Sequence, residues 1–131
     1  MIGIVIVVHT PLGGALLNCA SHVLGQVEDV SVHDILPDDK PDDLAPQILR
    51  DILEADHGEG VLVLTDLVGA TPANIAKRAV AEAQASGVPC CVVAGLNTPM
   101  LLRALTYRDQ PLSEMREKAL SGGMQGVLRV D

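Results

Sequence analysis

Apolar and polar positions follow two rhythms that alternate along the chain. Residues 2–8 form an unbroken apolar run, the pattern of a strand buried on both faces. From Leu12, apolar residues return at Ala15, Leu16, Cys19 and Val23, a helical spacing, and Gly25 suits its end. Residues 30–35 predict a second strand, with Val30 and Val32 alternating against Ser31 and His33. A polar loop over residues 37–43 follows, and its last aspartates are placed to cap the next helix. That helix carries Leu44, Ile48, Leu49, Ile52 and Leu53 and ends near His57-Gly58. Residues 60–65 predict a third strand. A helix opens at Pro72, with Ile75, Ala76, Ala79, Val80 and Ala83 on one face, and its alanines imply close contact with a sheet. Pro89 starts a fourth strand reaching Ala94, a position where a missing N–H is tolerated. The segment from Met100 to about Tyr107 is helical. Leu112, Met115, Ala119 and Leu120 predict one more helix, ending at Ser121-Gly122-Gly123. Residues 126–130 have the pattern of a short fifth strand.

Strands alternating with helices of this length predict right-handed βαβ units: an α/β fold of three layers, doubly wound around a mainly parallel sheet. The expected strand order is 2-1-3-4, with the short fifth strand at an edge, in a single domain over residues 1–131. In that order the winding reverses between strands 1 and 3. Ligands of such sheets bind at the carboxyl ends of the strands beside that reversal. The loops of interest therefore begin at His9 and Asp66.

Composition narrows the chemistry. Hydrophobic residues make up 48% of the chain, yet it has no Phe, no Trp and only Tyr107, so the core is aliphatic. A formal net charge of -8, scattered basic residues and almost no aromatics argue against nucleic acid as a partner. No apolar run approaches the roughly 20 residues that span a bilayer, so no direct membrane insertion is expected. The opening residues read as a strand rather than a leader peptide, and a cytoplasmic location is the expectation. Cys19 falls on the apolar side of its helix and Cys90-Cys91 inside a strand, which predicts reduced core thiols. His22, His33 and His57 lack ligand spacing, so neither a metal nor a cofactor is expected. There is no Walker or G-x-G-x-x-G motif, and Gly69-Ala70-Thr71-Pro72-Ala73 has Thr where a nucleophile elbow needs Ser.

The dipeptide Thr-Pro occurs at Thr10-Pro11, Thr71-Pro72 and Thr98-Pro99, each between a strand and its helix. Thr caps helices well and Pro suits the first helical position, so these are ordinary helix starts. They belong to strands 1, 3 and 4, which neighbour one another in the expected order. Their free N–H groups and positive dipole ends would then converge on a bound anion, phosphate above all. His9 begins the first of these loops. Asp66 occupies the equivalent position after the adjacent strand, where its carboxylate can orient the imidazole and leave the other ring nitrogen free to attack. An Asx turn within Asp66-Leu67-Val68-Gly69 is the plainer role for Asp66. A non-covalent binder of a small anion or nucleotide fits the same crevice.

The segments 4–9, Asp66-Leu67-Val68-Gly69-Ala70-Thr71-Pro72-Ala73-Asn74 and Gly95-Leu96-Asn97-Thr98-Pro99-Met100-Leu101 together resemble the mannose-family IIA component of the bacterial sugar phosphotransferase system. The resemblance runs over nearly the whole chain. It implies a phosphotransferase component that accepts a phosphoryl group from HPr on its histidine and passes it to a IIB component, or that serves as a regulator read by its phosphorylation state. By position the acceptor is His9, oriented by Asp66, with Thr71 contacting the phosphoryl group and Thr10 and Ala73 beside it. The resemblance also implies a homodimer to which the last strand contributes. Many members carry Gly directly after the active histidine, where this chain has Thr10-Pro11, and no linker to a fused IIB domain precedes Asp131. A related branch donates phosphoryl groups to a dihydroxyacetone kinase; the stretch after Asp66 fits the mannose branch better. Leu12, Leu67 and Met100 are expected at the rim around His9.

Overall fold

Every side chain from Ile2 to Val8 is buried, as an aliphatic run without polar interruption requires. The computed structural model describes residues 1–131. Its elements are β1 (Gly3–His9), α1 (Leu12–Leu24), β2 (Val30–Ile35), α2 (Pro41–Ala55), β3 (Val61–Thr65), α3 (Thr71–Ala85), β4 (Cys90–Val93), α4 (Thr98–Thr106) and α5 (Leu112–Gln125). The strands form one parallel sheet in the order β2-β1-β3-β4, the order expected from the element pattern. Side chains alternate across it. Ile4, Ile6 and Val8 pack with Leu16, Leu101 and Met115 on one face. Val5 and Val7 pack with Ile48, Ile52 and Ile75 on the other. Each such side chain contributes about 1.5–3 kcal/mol on burial, so the two faces supply most of the driving force for folding. Ala76, Ala79 and Ala83 are completely buried, which lets α3 lie close on the sheet.

Five expectations change. No fifth strand forms. Helix α5 runs through Ser121-Gly122-Gly123 to Gln125, and Val127, Leu128 and Val130 are exposed beyond it. The two glycines are contact positions rather than a stop. A Cβ on Gly122 would lie 2.8 Å from Arg103 Cβ, and one on Gly123 would lie 2.7 Å from Met100 Cε, so their absence lets α4 and α5 touch. Helix α1 buries Gly13, Leu16 and Ala20, leaving Val23 and Cys19 exposed. In α2 the cap position is Lys40; Asp42 and Asp43 lie in the first turn, where their charge complements the positive end of the helix dipole instead of capping it. That helix also stops at Ala55, and the Asp56 carboxylate accepts the N–H groups of Gly58 and Gly60, each at 3.0 Å.

Arg108, between α4 and α5, locks the amino ends of the strands. Its Nε and Nη2 donate to the Ile2 carbonyl at 3.2 and 3.1 Å, Nη1 to Glu28 at 2.8 Å and Nη2 to Asp29 at 2.9 Å. Burial lowers its pKa from the ordinary value, opposed by the charge of Asp29. Arg108→Ala would strand three carbonyls and is expected to cost about 3 kcal/mol, read as a lower urea midpoint with an unchanged slope.

The thiols differ in the same way. Burial, the largest cause, pushes Cys90 up to about 11, with Cys91 and Asp56 adding to it. Burial also raises Cys91, opposed by Arg116. A thiol reagent at neutral pH is therefore expected to modify Cys19 quickly in the native protein and all three cysteines only in denaturant, counted by mass spectrometry.

Candidate functional site

The register of β1 on β3 pairs Val7 with Thr65, so β1 runs on to His9 just where β3 gives way to Asp66. The two side chains meet across the reversal of winding. Asp66 Oδ2 accepts the His9 backbone N–H at 3.2 Å and lies 2.7 Å from His9 Nδ1. With the carboxylate ionised, the ring proton sits on Nδ1 and the Nε2 lone pair is free, because no bond within the chain engages Nε2. The His9 side chain is 48% exposed while that of Asp66 is 14% exposed, so the carboxylate is held in the protein and the imidazole faces out. Asp66 Oδ1 and the neighbouring Thr65 hydroxyl are buried without a hydrogen-bond partner. Past Asp66 the chain turns through Gly69 at φ 83°, a left-handed conformation that favours glycine.

His9 borders a recess of about 300 Å³ together with Thr10, Leu36, Asp39, Thr71 and Pro72. Parity explains where the recess lies. His9 follows Val5 and Val7, so it faces the α2–α3 side of the sheet. The recess therefore opens between the start of α2 at Pro41 and the start of α3.

None of the threonines of the Thr-Pro pairs is a cap. The cap positions are Pro11 for α1, Ala70 for α3 and Asn97 for α4, so Thr71 and Thr98 stand one residue inside their helices. The expected convergence of three open helix starts is also reduced. At α1, Asp34 takes the Gly13 N–H at 2.7 Å and the Gly14 N–H at 3.1 Å. At α4, Asn97 Oδ1 takes the Met100 N–H at 2.9 Å, and its amide donates to the Gly123 carbonyl at 3.1 Å. One N–H stays free at each of these two starts, that of Leu12 in α1 and of Thr98 in α4, whereas α3 keeps those of Thr71 and Ala73, and Thr71 borders the recess. Thr10 lines the recess, and its own N–H is bound to the Ile35 carbonyl at 3.1 Å. The Ala73 methyl is buried, so that residue can offer only its backbone.

Other residues fall elsewhere. Met100 is buried under α4 instead of standing at the rim, where Leu67 and Val68 are the exposed apolar residues. His33 binds Asp51 at 2.7 Å and joins β2 to α2, away from His9. Asp34 and Asn97 are the residues that motif reasoning passed over. Asn97 is a common cap type and was open to discovery; Asp34 carries no local signal.

Structure and site thus define a doubly wound parallel α/β domain with an exposed histidine, backed by a carboxylate, at its switch point. The model of the family described as PTS system fructose IIA component, EIIA-man, matches residues 3–120. The chain belongs to this family, the mannose-type IIA components of the sugar phosphotransferase system. It is 34% identical over 128 residues to the PTS system mannose-specific EIIAB component of Escherichia coli strain K12, which covers 96% of this chain. The chain spans 38% of the length of that relative. Among solved structures, phosphotransferase system component EIIA from Streptococcus agalactiae superposes with a TM-score of 0.86 at 24% identity, covering 98% of this chain and 97% of that one. The mannose/sorbose specific IIA subunit from Enterococcus faecalis gives 0.86 at 23% identity, covering 99% and 95%. At such identities these two likenesses speak for the fold.

The start of α1 can be tested through its glycines. A Cβ on Gly13 would lie 2.6 Å from Val32 and 2.8 Å from Asp34 Oδ1, whereas one on Gly14 meets nothing closer than 3.5 Å. Gly13→Ala is expected to cost about 2 kcal/mol through overpacking. Gly14→Ala should be neutral or stabilise by up to about 1 kcal/mol. Parallel urea melts compare the two.

Proposed function

We propose that this chain is a phosphoryl carrier, with His9 taking the group from phosphorylated HPr and passing it to a IIB component or holding it as a regulatory mark. The observation that carries this reading is the 2.7 Å contact between His9 Nδ1 and Asp66, which leaves Nε2 as the exposed nucleophile. In the transfer, the Nε2 lone pair forms a bond to phosphorus as the phosphorus–nitrogen bond of the donor breaks, and the bonding pair returns to the donor imidazole. The His9 ring keeps its Nδ1 proton and becomes cationic, and Asp66 offsets that charge. No further proton has to move. Positioning and charge stabilisation then supply most of the acceleration.

Thr71, through its hydroxyl and N–H, and Ala73, through its N–H, are the proposed phosphoryl contacts, with Thr10 closing the near side. In-line transfer between two imidazoles needs a partner seated over His9, and exposed Leu36, Leu67 and Val68 supply an apolar rim for it. No helix is long and apolar enough to cross a membrane. The family's homodimer belongs to the same reading; exposed Val127, Leu128 and Val130, and the edge position of β4, support a contact between copies there.

Incubation with radiolabelled phospho-HPr tests this. One acid-labile, alkali-stable phosphoryl group per chain is expected, absent in His9→Ala. Asp66→Ala should slow labelling about 100-fold while the fold persists. Native protein that takes no label would overturn the carrier reading in favour of a non-covalent anion binder. Unchanged kinetics in Asp66→Ala would remove that residue from the mechanism.

A further inference from the structure

Asp34 sits at the far side of the site from Asp66 and has no part in the reading above. Its Cα pairs with Val8, and the next residue, Ile35, pairs with His9. From there the end of β2 holds the segment after His9 at three backbone points. The Ile35 carbonyl accepts the Thr10 N–H at 3.1 Å, and the two Asp34 oxygens accept the N–H groups of Gly13 at 2.7 Å and Gly14 at 3.1 Å. These bonds bracket the Pro11-Leu12 turn. The fit is tight, since Gly13 has no room for a Cβ beside Val8, Val32 and Asp34.

We propose that Asp34 is a positioning residue for His9, acting through the first turn of α1; the proposal rests on the carrier reading. It does two things. First, it completes a grip on the acceptor's backbone from both neighbouring strands. Asp66, after β3, holds the His9 N–H at 3.2 Å; on the other side the Ile35 carbonyl holds Thr10, and Asp34 holds the first turn of α1 at Gly13 and Gly14. A histidine that is the last residue of a strand, with half its side chain in solvent, has few other restraints. Loss of one side of the grip would let Nε2 drift, and a displacement of about 1 Å from the line of attack costs about 100-fold in rate. Second, Asp34 fills the positive end of α1. An open α1 start beside the α3 start would offer the phosphoryl group a second seat off the line of attack. With a carboxylate on two of its N–H groups, α1 keeps only that of Leu12 free, and the free donor bordering the recess with His9 is Thr71 of α3.

The test uses Asp34→Ala and the isosteric Asp34→Asn, which keeps one acceptor oxygen and turns an amide group toward the second glycine N–H. Two measurements are made on each: the kinetics of labelling against phospho-HPr concentration, and the nitrogen-15 spectrum of the His9 imidazole in unphosphorylated protein. Folded fraction is followed by circular dichroism. For Asp34→Ala, kcat should fall about 100-fold with KM within about twofold of native. The His9 ring, a single Nδ1–H tautomer in the native protein, should become an exchanging mixture. Asp34→Asn should recover about a tenfold part of the rate and most of the native ring signal. A native ring spectrum with native kcat in folded Asp34→Ala would overturn the proposal, as would a rate loss that vanishes on correction for folded fraction. If Asp34→Ala does not fold, Asp34→Asn decides by the same two readouts. Native protein that takes no label would defeat the carrier reading alone, because the imidazole spectra still report whether Asp34 positions His9.

Discussion

A strand buried on both faces can carry polar chemistry only where it ends, and β1 ends at His9. Its central place in the sheet, between β2 and β3, sets everything around that residue. β2 ends level with His9 and β3 two residues lower, so Ile35 forms one wall of the site and Asp66, just past β3, the other. The pairing of β3 with β1 is stabilised by burial along the whole of β3, whereas β2 is partly exposed until Ile35. The His9–Asp66 contact therefore forms as a consequence of core packing and does not have to organise itself.

Electrostatics at the site is made of dipoles rather than cations. Among the residues bordering the recess there is no Lys or Arg. In the proposed role this has a physical reason. A fixed cation would bind a phosphoryl dianion strongly and resist its departure, whereas neutral N–H and hydroxyl donors stabilise it while still letting it go. The helix starts are handled unequally. Asp34 takes two N–H groups of α1 and Asn97 one of α4, while the free Thr71 N–H of α3 borders the recess with His9. The single strongest charge next to the acceptor is negative, and it complements the cation that the imidazole becomes on transfer.

Stability and chemistry sit at opposite ends of the sheet. At the amino ends, Arg108 ties Ile2, Glu28 and Asp29 together through carbonyl contacts with little exposure. At the carboxyl ends, the Thr65 hydroxyl and Asp66 Oδ1 are buried oxygens without partners, and the residues after Asp66 stand in solvent. The closed end compensates for the open one. The same division appears in the glycines, with Gly122 and Gly123 allowing α4 and α5 to pack while Gly69 shapes the loop beside His9.

The aliphatic runs, their alternation with helical spacing and the positions of His9 and Asp66 were enough to reach the strand order, the switch point and the pairing of the two residues. Each depends on periodicity or on rules of connection, which are local or generic. Local pattern failed where contact replaced hydrophobicity. Gly13, Gly122 and Gly123 have no apolar side chain to register in a helical stripe, yet they lie on packed faces because a bare Cα permits close approach. The Thr-Pro pairs pointed to the right loops but assigned the caps one residue early at α1 and one residue late at α3 and α4, since the cap is defined by backbone geometry that residue type only biases. Asp34 and Gly13 are 21 residues apart, and only the pairing of β2 with β1 brings that carboxylate to the start of α1. That contact takes one helix start away from the anion and leaves α3 facing His9, a choice that no stretch of sequence contains because it depends on which strands lie side by side.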